Sequence, residues 1–386
     1  MNKILLIISV VSVVFLDTNL SYKLGMGDNR LLSSYLPMAL FILVNSFVIG
    51  KLNYDLKSNA LWLVCLGTLG YIFKFSCGQA DVFPRYLTLF ILPYLFSIYL
   101  EQAEETELKI IRTILILFLV AQVSIALYER ITFKTLLVSE DDFFVMNEGQ
   151  NWTFRASGLL GHPLGNAMSV STLLAFVTCS SIQFSKKLVL IFIAYIALLC
   201  FNERGNILLS SFVVLLYFCF TYKMLTCRQK MFIWLLCLPV IVWAFLFLQT
   251  SDWGGRLFNT EIAASDTNAQ VRIAALSALS FLNFDQLMIG SPMNYVYVVN
   301  KMSLAGIENG IISMILYHGL FIGIIALVFL FVFQYKKLHD YGKLQMCLIL
   351  ISFYGIGITN PHLTNPYQWM IFLLAMYSFK PNKVYE

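Results

Sequence analysis

Apolar runs long enough to cross a membrane recur along this chain, separated mostly by short polar turns and once by a long polar break. The runs fall near 3–20, 31–50, 59–76, 83–100, 110–128, 163–183, 187–202, 205–222, 231–249, 308–333, 344–359 and 364–379. Crossing ~30 Å of hydrocarbon takes roughly 20 helical residues, and only helices or closed barrels satisfy their backbone groups there. The pattern predicts an all-α, polytopic transmembrane helix bundle of eleven or twelve spans, the range arising because the runs at 187–202 and 364–379 are short. Residues 1–386 then form one integral-membrane domain. The first run lacks a small-residue cleavage site and reads as a retained first helix.

Two longer polar segments stand out, 129–162 and 250–307. Within the second, Ser265-Asp266-Thr267 offers capping residues. Val271, Ala274, Ala275, Ala278, Leu279 and Leu282 follow at helical spacing, predicting an amphipathic helix over 267–282 with Arg272 near its start.

Composition agrees with the pattern: 59% hydrophobic and 12% charged residues describe a membrane protein. The net charge of +5 matters through its placement. With the N-terminus cytoplasmic, the short inner segments collect Lys51, Lys57, Lys109, Arg112, Lys186, Lys187, Lys223, Arg228, Lys230, Lys336, Lys337 and Lys343. The positive-inside rule then puts both termini in the cytoplasm and both long polar segments on the outer face. The acidic turn from Glu101 to Lys109 reads as a solvated surface. Eight cysteines without metal-ligand spacing read as small apolar residues. No Walker loop, dinucleotide fingerprint, HExxH or Ser-His-Asp signal is present, which disfavours ATP hydrolysis and soluble redox chemistry.

Candidate chemistry gathers in the outer segments. The run Arg155-Ala156-Ser157-Gly158-Leu159-Leu160-Gly161-His162-Pro163 combines a guanidinium that can fork onto a phosphate, two glycines that let backbone approach a ligand and a proline suited to a helix start. Arg204 follows Glu203 at a hairpin, where the neighbouring acid or a bound anion would balance its charge. Arg256 and Arg272 lie in the longest break. Glu308, beside Asn309, opens the tenth run, where partial desolvation would suit a general base. His318 lies ten residues deeper, roughly 15 Å along a continuous helix. Beside it, Gly319 and Gly323 form a helix-contact spacing. Asp17, Asp28 and Glu140-Asp141-Asp142 read as solvated acids, with a divalent-cation site as the alternative. Trp253, Tyr295 and Tyr297 read as interfacial aromatics or sugar-stacking surfaces.

In order and spacing the chain resembles the bacterial O-antigen polymerase (Wzy-type) and O-antigen ligase superfamily. The resemblance rests on Arg155-x-x-Gly158-x-x-Gly161-His162-Pro163, Glu203-Arg204-Gly205, the long outer loop, and Glu308-Asn309 opening a helix that carries His318-Gly319. It covers roughly 155–323, whereas the first five runs match only in number and hydropathy. It implies a GT-C-like bundle in the bacterial inner membrane that transfers an undecaprenyl-diphosphate-linked glycan on the periplasmic face. No metal, cofactor or nucleic acid is implied; the other partners are membrane lipids and a chain-length regulator. Where the ligases typically carry His-Asn this chain carries Glu308-Asn309, which favours a polymerase of O-antigen, capsule or exopolysaccharide repeats. The residues assigned on this basis are Arg155, Arg204, Arg256 and Arg272 on the diphosphate, and Glu308 as base with His318 or His162 behind it. A ligase, and a flippase of the same lipid-linked unit, stay as alternatives.

Overall fold

A computed structural model of the chain describes residues 3–16, 19–24, 34–49, 59–138, 154–234, 245–251, 253, 275–304 and 306–381. Among these there are helices and turns but no strand. In chain order the α-helices are α1 (Lys3–Val11), α2 (Asn19–Lys23), α3 (Leu36–Ile49), α4 (Asn59–Ser76), α5 (Phe83–Tyr86), α6 (Leu92–Glu101), α7 (Glu105–Thr132), α8 (Pro163–Cys179) and α9 (Phe184–Phe201). They continue as α10 (Arg204–Thr221), α11 (Cys227–Phe232), α12 (Phe284–Ile289), α13 (Pro292–Lys301), α14 (Gly310–His318), α15 (Leu320–Leu338), α16 (Lys343–Thr359) and α17 (Pro366–Ser378).

Among the described residues, five continuous helical stretches are long and apolar enough to cross a membrane: Ala80–Glu101, Glu105–Thr132, Phe184–Phe201, Arg204–Met224 and Leu320–Tyr341. Shorter apolar helices occupy Lys3–Leu16, Leu36–Ser46, Ala60–Ser76, Pro163–Cys179 and Lys343–Ile358. The chain is an all-α, polytopic membrane protein whose helices follow the expected runs. Most of the run at 231–249 lies outside the described residues.

One departure, and one element described only at its end, matter for the site. The run at 308–333 is not one span: α14 ends at His318, Gly319 turns at φ 86°, ψ 162°, and α15 begins at Leu320. Gly323 packs α15 against α14, because a Cβ there would lie 3.2 Å from the Met314 carbonyl oxygen. The Gly319–Gly323 spacing therefore serves contact between two consecutive helices. Of the expected amphipathic helix over 267–282, residues 267–274 lie outside the described ones; Ala275 and Leu276 are helical and a 3-10 turn, Ala278–Phe281, follows them ahead of α12 and α13. Asn283 starts α12 with a capping box to Gln286, and Ser291 caps α13 ahead of Pro292. The apolar face still packs: Ala275 and Ala278 are fully buried with Val298, Ile307, Ile312 and Leu316, and Leu279 and Leu282 lie against them.

The chain divides into two compact units. Unit 1 comprises Met1–Leu115, Thr267–Asp340 and Tyr354–Lys380. Its core centres on α17, buried from Tyr367 to Ser378, as expected of a helix that is apolar all round. Phe41 packs edge-on to Phe96 at 5.4 Å, and Tyr94 edge-on to Phe333 at 5.2 Å. One end of unit 1 is laced by polar contacts. Glu101 takes Lys337 at 2.7 Å and the Tyr377 hydroxyl at 3.1 Å. Asp340 pairs with Lys380, and the Arg112 Nε donates to the Ser378 carbonyl at 2.6 Å. Glu101 is thus a tie between helix ends, not only a solvated acid of its turn.

Unit 2 comprises Ile116–Asp266, Tyr341–Phe353 and Pro381–Glu386. Its central helix is α8, buried along nearly its whole length. Cys179 and Cys200 are buried here as small apolar residues.

Candidate functional site

In unit 1 the candidate groups sit around α14. Asn309 caps this helix, its side chain accepting from the Ile311 and Ile312 N–H groups at 3.1 and 3.0 Å. The residues leading into it are held by Tyr295, whose hydroxyl accepts the Ile307 N–H at 3.1 Å. Those two contacts fix the backbone on either side of Glu308, which is half-buried. The Tyr295 ring stacks on Tyr317 at 4.8 Å, and the Arg85 guanidinium lies over the Tyr317 ring, 3.6 Å from its centroid. Glu308 and Arg85 both act electrostatically on Tyr295, so acid and guanidinium both lie near the tyrosine pair. Of the two tyrosines proposed from sequence to stack on sugars, Tyr295 is committed to Tyr317, and Tyr297 is exposed.

At the far end of α14, His318 is 1% exposed. Its ring stands edge-on to Tyr86 at 5.1 Å and Phe90 at 5.4 Å. Neither ring nitrogen has a hydrogen-bond partner, and neither does the buried Tyr86 hydroxyl. Arg85 and Lys74 are the charges that act on this ring. His318 therefore ends a helix of nine residues, roughly 13 Å long, and packs beside α5 where the chain turns at Gly319.

Lys74 explains how this end is held. Its ammonium is fully buried and donates to the carbonyls of Ile289, Gly290 and Tyr317, the Gly290 bond being 2.6 Å. These carbonyls lie at the C-terminal ends of α12 and α14, where an ammonium meets both unpaired oxygens and the negative end of the helix dipole. Lys74→Met leaves them without a donor, and bonds to a charged group are worth ~1.5–3 kcal/mol. The variant is expected to lose about that much stability, read as a lowered melting temperature in detergent; an unchanged melt would reject the capping role.

In unit 2, the Arg155 to Pro163 run wraps a buried carboxylate. Glu129, near the end of α7, accepts from the N–H groups of Leu136, Ser157 and Gly158 at 2.9, 2.7 and 2.9 Å and from the Ser157 hydroxyl at 2.8 Å. Gln122, one helical face below, donates to Asn166 Oδ1 at 2.6 Å, and the Leu160 N–H donates to the same oxygen at 3.1 Å. Gly158, at φ 55°, is demanded by this packing, since a Cβ there would meet the Asn166 and Gln122 side chains at 2.9 Å. The glycine expected to admit a ligand admits the protein's own amides instead. Arg130 donates to the Phe154 carbonyl and lies 5.6 Å from the Trp253 ring, which places that tryptophan on a cation.

Arg155 pairs with Glu203 at 2.9 Å, and its Nε reaches the Phe201 carbonyl at 3.4 Å, so it latches this loop to the turn between α9 and α10. Arg204, the first residue of α10, is half-buried beside that pair in sequence. His162 caps α8, its Nδ1 accepting the Leu164 N–H at 3.2 Å. Although the residue as a whole is exposed, desolvation of the ring and then the Arg155 charge lower its pKa to about 4. An accepting Nδ1 must be bare, which agrees with a neutral ring.

Unit 1 thus brings Glu308 and His318 to one short helix, and unit 2 brings Arg155, Arg204 and His162 to one loop and hairpin. Arg256 and Arg272 lie outside the described residues, as do Asp17, Asp28 and Glu140 to Asp142. Sequence reasoning passed over Lys74, Tyr86, Gln122 and Glu129 and left Arg85 in a turn without a role. No protein-family model matches the chain, and no curated protein matches it.

Proposed function

We propose that this chain is a polysaccharide polymerase of the bacterial inner membrane. It transfers an undecaprenyl-diphosphate-linked glycan onto a second lipid-linked repeat unit at the periplasmic face. The observation that carries the reading is α14: a short helix in a membrane protein with a carboxylate at its start, a buried imidazole at its end, and a guanidinium reached through two stacked tyrosines. The residue resemblance supplies the reaction class.

In the reaction so assigned, an acceptor sugar hydroxyl attacks the anomeric carbon of the donor while the bond from that carbon to the diphosphate oxygen breaks. Glu308 takes the hydroxyl proton. Arg155 and Arg204, with Arg256 and Arg272 from the long loop, stabilise the charge that collects on the departing diphosphate. Of these, Arg155 already shares its charge with Glu203, and Arg204 opens α10 beside that pair in sequence.

The test is reconstitution of the full chain in liposomes with purified lipid-linked repeat unit. The wild type is expected to give a ladder of products. General acid–base groups contribute ~10²–10⁴-fold, so Glu308→Gln is expected to slow the ladder at least ~100-fold while the protein stays folded. Arg204→Ala is expected to lose long product. Translocation of single units without bond formation would replace the polymerase with a flippase, and transfer only to a lipid A core acceptor would replace it with a ligase.

A further inference from the structure

Among the described residues the cations at the far end of α14 are not ion-paired. Arg85 and Lys74 make no ion pair among the described residues, and the Arg85 N–H donors make no hydrogen bond there. Stacking on Tyr317 occupies the face of the Arg85 guanidinium and leaves its hydrogen-bonding edge. Beside it, three buried polar atoms on two adjoining rings, His318 Nδ1, His318 Nε2 and the Tyr86 hydroxyl, are unpaired. Buried polar groups are nearly always satisfied, so a cluster of exceptions marks a place where something polar binds. A half-buried guanidinium next to neutral donors suits a phosphate.

The same pair of helices continues downward as an apolar seam. Gly70 of α4 touches Ile322 of α15 at 3.6 Å from its would-be Cβ. Eight residues further along α4, roughly 12 Å at 1.5 Å per residue, Trp62 lines a groove of about 290 Å³ with Val328, Phe329 and Val332 of α15. Lys74, which adjoins the cationic corner, stands twelve residues, roughly 18 Å, along α4 from Trp62, a separation of charge and apolar groove that the chain of a phosphorylated lipid can span.

We infer that this corner of unit 1 binds the diphosphate of a prenyl-anchored glycan. Arg85 forks onto a phosphate, His318 and Tyr86 supply the neutral polar edge, and the prenyl chain lies in the groove at Trp62. The assignment rests on the polymerase reading in one respect: joining two lipid-linked chains brings two diphosphates to the protein. The arginines of unit 2 are assigned to one of them, and Arg85 provides for the other. Lys74 acts here as a positioning residue, since its ammonium is spent on helix-end carbonyls.

The test is a titration of the full chain, in nanodiscs of zwitterionic phospholipid, with geranylgeranyl diphosphate, inorganic diphosphate and anionic phospholipid. Two binding events are expected for the prenyl diphosphate. Arg85→Ala should weaken one of them at least 10-fold, and Arg85→Lys, which keeps charge but not the fork, at least threefold. Trp62→Ala should weaken the prenyl diphosphate about 10-fold and leave inorganic diphosphate unchanged. Wild-type affinity in both Arg85 variants overturns the site, and the lysine variant decides the matter if the alanine variant melts early. Equal affinity for inorganic diphosphate makes it a free-anion site, and equal affinity for anionic phospholipid makes it a bulk headgroup site; either result removes the prenyl assignment. Binding through Arg85 by a chain that builds no ladder leaves this site standing without the polymerase. A normal ladder from Arg85→Ala leaves the polymerase without this site.

Discussion

Gly319→Ala and Gly290→Ala are each expected to abolish the packing around α14, at a cost above the ~4 kcal/mol that few single substitutions reach. Both residues adopt a backbone conformation open essentially to glycine alone, with Gly290 at φ 66°, ψ 157° and Gly319 at φ 86°, ψ 162°. The space is closed as well. A Cβ on Gly290 would stand 2.0 Å from the Gly319 nitrogen, and one on Gly319 would stand 2.1 Å from the Met288 carbonyl oxygen. Backbone meets backbone, so no side chain can rotate away. Gly78 is the control: φ is 78° but nothing lies within 4 Å, so alanine there should cost only the ~1–2 kcal/mol of a left-handed residue. Melting temperatures of the three variants in one detergent check the ordering. A Gly319→Ala loss no larger than that of Gly78→Ala would mean the α12–α14 contact is not built as described.

The second large effect is expected in unit 2. Glu129→Ala strands the buried N–H groups of Ser157 and Gly158 and the Ser157 hydroxyl, all of which now point at one fully buried carboxylate. An unsatisfied buried donor costs ~1–3 kcal/mol, so the loss should be of the order of 4 kcal/mol or more. Glutamine is not a rescue, because its amide nitrogen must face donors. Both variants should expose the loop after Phe154 to protease at temperatures where the wild type resists. Protection equal to wild type in Glu129→Ala would show that the loop is held by something else.

How much of this was legible follows from where each signal sits. Helix positions were readable because hydropathy is local: the runs at 59–76 and 163–183 became α4 and α8, and Pro163 stands at the first turn as its chemistry requires. The break at Gly319 was not, since apolar residues continue on both sides of it and the partner that forces the turn, Gly290, is distant in sequence. Asn283 with Gln286 and Ser291 with Pro292 did carry the cap signals of α12 and α13, but a polar loop reading masked them. Glu308 and His318 could be picked out as polar groups in an apolar run. Arg85 could not be given a role, because what gives it one is Tyr317, some 230 residues away. Glu129 looked like the first residue of a solvated segment, whereas α7 continues past it and buries it.

The lacing of unit 1 by Glu101, Lys337 and Tyr377, with Asp340 to Lys380 beside it, makes the stiffness of that unit uneven along its length. Separating helix ends there breaks charged contacts between partly buried side chains. At the opposite end Lys74 ties α4 to the carbonyls of Ile289, Gly290 and Tyr317, whereas between the two ends α4 meets α15 through side-chain packing around Gly70 and Ile322. A guest arriving sideways from the bilayer would therefore find the cheaper opening along the middle of the α4–α15 seam, between two ends that are each fastened by charged groups.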